Sequence, residues 1–242
     1  MKKTFGINAL QLKILAMVFM LCDHAWAALP SLSLRLTDIG RLAFPIFAFQ
    51  IAEGYARTHD RKAYRRRILL WALITELPFN LMTAGGVFNP FHQNVLFTFW
   101  IALFVLDRME RAKARGGKLG WAAYGAWPWV GYVLGFLGFT DYYGYGVLMV
   151  VGFSVFRESK LLQFVLMAII NVFWMKGLGY PVEILGREWF IPQQAIAMLS
   201  LIPIWLYNGE QGPYNKTIRR VCYAFYPAHI LILALIGMFV MN

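Results

Sequence analysis

Apolar residues in this chain come in long unbroken runs, separated by short clusters of arginine, lysine, glycine and proline, instead of the 3.6-residue stripes of a soluble amphipathic helix. A hydrocarbon core of about 30 Å takes about 20 helical residues per crossing. On that measure the pattern predicts about nine crossings: 12–29, 37–56, 68–84, 95–109, 119–139, 143–156, 161–175, 189–206 and 221–241. The expected fold is therefore all-α, a polytopic transmembrane helical bundle. Those spans use most of the chain, so residues 1–242 read as one domain with short loops.

Composition strengthens the class: 60% of the 242 residues are hydrophobic, 17% aromatic and only 14% charged. Charge then sets the orientation. Lys2, Lys3, Arg57, Arg61, Lys62, Arg65, Arg66, Arg67, Arg108, Arg111, Lys113, Arg115, Lys118, Arg157, Lys160, Lys216, Arg219 and Arg220 fall at the N-terminus or in every second loop. The opposite loops hold only Arg35, Lys176 and Arg187. The positive-inside rule places the N-terminus in the cytoplasm of a multi-pass inner-membrane protein. The net charge of +11 records that topology and contact with anionic lipid, with no call for nucleic acid.

Against this apolar background the polar residues stand out. Asp23 and His24 sit inside the first run, where a membrane aspartate costs roughly 2.5–3.5 kcal/mol at the centre of a helix. Counting outward from Leu12 gives roughly 17 Å of rise, which sets the pair in the outer half of the bilayer. Asp38 and Arg41, Glu76 and Asn80, His92, Gln93 and Asn94, and Asp141 open or close neighbouring spans at the same level. Five helices thus contribute to one outer polar layer. Helical neighbours point about 100° apart, so Asp23 and His24 do not face each other. Arg41 has two candidate partners, Asp38 at i, i+3 on its own helix and Asp23 on the neighbouring one, and His24 is expected to meet a carboxylate from another helix, Glu76, Asp38 or Asp141. Glu53 and Arg57 form an i, i+4 pair, Gln93 and Asn94 suit a helix cap, and His229 follows the helix-bending Pro227.

Other signals remove alternatives. Cys22 and Cys222 lie near opposite membrane faces, and no zinc-type spacing occurs, so neither a disulfide nor a metal is expected. Ala25-Trp26-Ala27 imitates a signal cleavage site, but the apolar run continues beyond it and reads as a span. Asn215-Lys216-Thr217 matches a glycosylation sequon on the cytoplasmic side, and Gly131 with Gly135 reads as close helix packing. Two functional classes remain: an intramembrane enzyme and a small-molecule or proton-coupled transporter. Paired broken helices, the mark of many transporters, are not evident.

Several strings, taken in order, resemble the TraX family of conjugative pilin N-acetylase-like membrane acetyltransferases. They are Leu12-Lys13 leading to Asp23-His24; Gly40-Arg41 through Phe44-Pro45 to Glu53-Gly54; Glu76-Leu77-Pro78-Phe79; Gln93-Asn94-Val95 with Phe97-Thr98; Asp141 before Tyr145-Gly146-Val147-Leu148; Tyr207-Asn208-Gly209; and Phe225-Tyr226-Pro227 followed by His229. The resemblance implies an acetyl-CoA-dependent acyltransferase acting on an exported or membrane-associated acceptor, a pilin-like N-terminus or a glycan. Under it, Arg57, Arg65, Arg66, Tyr207, Asn208, Lys216 and Arg219 would hold the nucleotide phosphates on the cytoplasmic side. His24 would be the base, Arg41, Asn94 or Gln93 the oxyanion donors, and Glu76 or Asp141 the group that orients the base. Asp23 would anchor, His229 is a further candidate, and an acetyl-histidine intermediate is the competing route.

Overall fold

The computed structural model describes residues 5–175, 177–184, 186–213 and 215–241. Of the residues that set the orientation, Lys2, Lys3 and Lys176 lie outside the described ones. Among the described residues the chain forms ten α-helices and one β-hairpin, and it divides into two compact units, Met1–Gln50 with Phe156–Arg219 and Ile51–Val155 with Arg220–Asn242.

In the first unit, α1 (Ala9–Ala28) starts from a capping box in which Asn8 and Gln11 satisfy each other's backbone N–H groups. The segment before it is pinned beside residues 206–210 by Ile7 N to Leu206 O, Asn208 N to Ile7 O and Ala9 N to Glu210 O. The expected second span is broken. Residues 35–40 form the short α2 (Arg35–Gly40), and α3 (Ala43–Arg57) begins beyond a break at Arg41 and Leu42. Pro45 then lies in the first turn of α3, where a helix tolerates the missing N–H. The seventh span is α8 (Lys160–Ala168), followed by a π-helical stretch, Ile169–Trp174. Its polar residues are internally matched: Gln194 donates to Asn171 Oδ1 at 3.0 Å, and Trp205 Nε1 donates to Gln163 Oε1 at 2.9 Å.

The eighth expected span, 189–206, is not one helix. Its first residues belong to β2 (Arg187–Pro192), which pairs antiparallel with β1 (Gly179–Ile184), and a 3-10 helix, Gln193–Ser200, leads into the short α9 (Leu201–Trp205). The chain is mostly helical, as expected, and the hairpin is its strand element among the described residues. Glycine at 179 and 186 and proline at 181 and 192 disfavour a helix there, while Trp189, Phe190 and Ile191 suit a strand.

The second unit holds α4 (Arg61–Ala84), α5 (Val95–Arg115), α6 (Gly117–Leu137) and α7 (Tyr143–Val155), and α10 (Lys216–Met241) begins in the first unit and runs into it. Three of these helices begin before their expected spans and α5 runs past its own, because hydropathy marks only their apolar middles. Gly131 and Gly135 do bring helices close: a Cβ on Gly131 would stand 2.6 Å from Val105 Cγ2, and one on Gly135 2.7 Å from the Gly144 backbone N. Buried Ala102, Leu103, Val105, Val147 and Val150 fill the core between them. Outward faces stay apolar, with Leu70, Leu73, Ile74 and Leu77 of α4 and Trp129, Val133 and Leu137 of α6 all exposed. Among the described residues, Ala9–Ala28 and Lys216–Val240 are each long and apolar enough to cross a membrane.

Candidate functional site

Two polar clusters carry most of the candidate catalytic residues, one in each unit. In the first, Asp23 projects from the last turns of α1 toward α2. The fully buried Thr37 hydroxyl donates to Asp23 Oδ1 at 2.6 Å, Arg41 Nη2 donates to Thr37 Oγ1 at 2.5 Å, and the same nitrogen lies 3.4 Å from Asp23 Oδ1. Of the two partners open to Arg41 from the sequence, Asp23 is paired with it here, with a threonine bridging the two. Gly40 makes the approach possible, since a Cβ there would fall 2.6 Å from Asp23 Oδ1. His24, half-buried, follows on the same helix.

Asp38, on the next position of α2 after Thr37, turns to the hairpin. It accepts from Tyr180 Oη at 2.6 Å and from Gln193 Nε2 at 2.7 Å, and that bond lifts the Tyr180 phenol above its ordinary pKa. Neither Tyr180 nor Gln193 was marked by spacing, because they lie 142 and 155 residues from their partner. Thr37 was legible in principle: it stands four residues before Arg41, on one helical face.

In the second unit, Glu76 of α4 accepts from both Asn94 Nδ2 (2.6 Å) and Asn94 N (3.2 Å) through the same oxygen, Oε2. Asn94 also donates to Ala72 O at 2.9 Å, and its Oδ1 caps α5 by accepting from Leu96 N. Both amide hydrogens are therefore engaged. Gln93 is held too, its backbone tied to Phe139 O and Asp141 N and its side chain to Asn89 O. The capping role expected for Asn94 is the one observed. Asp141 Oδ1 lies 3.8 Å from His92 Nε2, and this pairing raises the imidazole pKa above its ordinary value against the opposing effect of burial. The loop segment before α5 contributes His92, whose role the sequence left open.

The remaining candidates are dispersed. His229, buried in α10, bonds the Phe225 carbonyl through Nδ1 at 2.6 Å and stacks on the Phe225 ring, contacts that suit a packing histidine. Arg57 pairs with Glu53 at 2.7 Å, as its spacing implied. Arg65 is committed to Asp107, which also accepts from Tyr55, so its guanidinium holds α4 to α5. Arg66, Lys216 and Arg219 are exposed. Tyr207 packs edge-on against Phe49, while the Asn208 backbone N–H donates to Ile7 O at 3.0 Å.

No solved structure matches the chain. A relative from Dichelobacter nodosus, described as a probable fimbrial assembly protein FimC of serogroup H1, is 26% identical over 259 residues, covering 99% of each chain. The sequence model of the family described as TraX protein matches residues 9–237, and the chain belongs to that family.

Proposed function

We propose that this protein is a multi-pass inner-membrane acetyltransferase that moves an acetyl group from cytoplasmic acetyl-CoA to an amine or hydroxyl of an exported or membrane-associated acceptor. Family membership supports the enzyme class, and the fimbrial assembly relative favours a pilin-like acceptor over a glycan. The exposed apolar faces of α4 and α6 support a bilayer setting, since water would not tolerate that much contiguous apolar surface. About nine crossings with the N-terminus inside remains our reading of the topology, with the region 161–206 entering the bilayer as broken segments.

The observation that carries the proposal is the Asp23–Thr37–Arg41 cluster next to His24 in sequence, charged groups fixed where α2 meets the end of the largely apolar α1. Such groups are costly in a membrane and mark function. In this reading neutral His24 takes the proton of the attacking group as it adds to the thioester carbonyl. The carbon–sulfur bond then breaks, and the leaving thiolate recovers a proton. Arg41, held by Asp23 and Thr37, stabilises the oxyanion; the Asn94 side-chain hydrogens are already spent. Exposed Arg66, Lys216 and Arg219 suit phosphates better than Arg65, which is tied to Asp107.

Thermal unfolding of the purified protein tests donor binding. CoA and acetyl-CoA should raise the unfolding temperature in a saturable way, because a ligand that binds only the native state stabilises it. A transporter of unrelated solutes would show no such shift.

A further inference from the structure

The second cluster contains buried acceptors without donors. Glu76 directs Oε2 at Asn94, yet its Oε1 is buried and meets no hydrogen-bond donor among the described residues. Asn80, one turn further along α4 and 1% exposed, turns its amide hydrogens toward Glu76 and Val87 O, and its Oδ1 likewise meets no donor. Buried acceptors left so are costly, and what they lack is an N–H or O–H. Glu76 and Asp141 supply two carboxylates within electrostatic reach of His92, so the fitting ligand is a cation that carries hydrogens.

The neighbouring backbone is strained in a way that a simple connector does not need. Phe139, Tyr142 and Tyr143 have φ of 48°, 60° and 46°, a left-handed conformation that non-glycine residues rarely adopt. The segment is held there by Gln93 N to Phe139 O (2.9 Å), Asp141 N to Gln93 O (2.8 Å) and the Thr98 hydroxyl to Asp141 O. The result presents the Asp141 carboxylate to His92, and both side chains stay partly open to solvent, at 32% and 40%.

We propose that Glu76, Asn80, His92 and Asp141 form a binding site for a protonated primary amine. The free oxygens of Glu76 and Asn80 accept ammonium hydrogens, and His92, oriented by Asp141, takes one proton and releases it to water. That proton step rests on the acetyl-transfer reading; the binding step stands without it. The balance is complete. An ammonium gives one proton to His92 and becomes an amine with a lone pair. The new carbon–nitrogen bond forms as the carbon–sulfur bond breaks, and the second nitrogen proton goes to the departing CoA thiolate. One proton leaves through His92.

The charged groups facing His92 are Asp141 from the loop after α6 and Glu76 from α4, with the Tyr226 phenol of α10 in electrostatic range of both carboxylates. Protonated His92 neutralises Asp141 and repels an ammonium, so amine binding should weaken as the pH falls through the raised His92 pKa.

The test uses the purified full-length protein with n-butylammonium as probe, and n-butanol and tetramethylammonium as controls. Butylammonium should raise the unfolding temperature saturably while neither control does. Asp141→Asn and Asn80→Ala should each weaken that effect about tenfold or more. His92→Gln, a change at a partly exposed position, should fold normally and abolish the loss of binding at low pH. Equal effects of butylammonium and butanol, or an unchanged pH profile in His92→Gln, would overturn the site. Transfer from labelled acetyl-CoA, measured in the same preparation, separates the two claims. Transfer without butylammonium binding removes this site alone, and butylammonium binding without transfer removes the acetyl-transfer reading alone.

Discussion

The two carboxylate clusters are built from similar residues and differ in the partners their carboxylates meet: a hydroxyl and a guanidinium in the first, an asparagine in the second. Asp23 meets Thr37 and Arg41 across a helix contact so close that Gly40 has no room for a Cβ. Among the described residues Glu76 takes its donors on Oε2 while its buried Oε1 meets none, next to an asparagine oxygen likewise without one, under a loop held in left-handed conformation. An ion pair bridged by a hydroxyl fixes the position of its members, whereas a buried carboxylate oxygen without a donor leaves an acceptor available.

The largest expected effect comes from Asn94→Leu. It removes the α5 cap, worth about 1 kcal/mol, and takes from the Glu76 carboxylate its side-chain donor, leaving only the backbone N–H of residue 94 and adding about 1–3 kcal/mol. Denaturant unfolding in detergent should show a loss of roughly 2–4 kcal/mol; a change below about 1 kcal/mol would mean that the asparagine is not the hub of the second cluster.

Gly40→Ala should come next. The added methyl meets Asp23 and must push α1 and α2 apart, a form of overpacking that costs about 1–3 kcal/mol. Because it also displaces Arg41 and Thr37, acetyl transfer should fall further than stability does. A variant of unaltered stability and activity would show that the first cluster is looser than described.

The smallest effect is the pH dependence of the His92–Asp141 contact. The folded-state pKa of His92 is raised above 6.5, so the pairing contributes stability that is fully present below pH 6.5 and lost as pH rises through the folded value. Asp141→Asn should flatten that slope between the two. An identical slope in wild type and variant would show that the two side chains do not interact.

Much of the first cluster was legible because helical geometry is strict. Adjacent residues diverge by about 100°, which separated Asp23 from His24 and left Arg41 as a partner for Asp23 or Asp38, and i, i+4 spacing gave Glu53 with Arg57. Asn94 as a cap and Gly131 with Gly135 as a packing seam followed from equally local rules. The hairpin 179–192 was not legible, since hydropathy measures apolar content and a tryptophan-rich strand followed by 3-10 turns scores like a helix. Nor was the role of Tyr180, Gln193 or Asp141, whose contacts join residues 142, 155 and, for Thr98, 43 positions apart. Pairings over that distance are fixed by topology, which a single sequence does not display.

The central claim is acetyl transfer dependent on His24. Reconstituted wild-type protein, given labelled acetyl-CoA and envelope extract, should pass label to an acceptor that mass spectrometry can identify, and folded His24→Ala should pass none. Absence of transfer by well-folded wild type with an acceptor-containing extract, or near-normal transfer by His24→Ala, would contradict it.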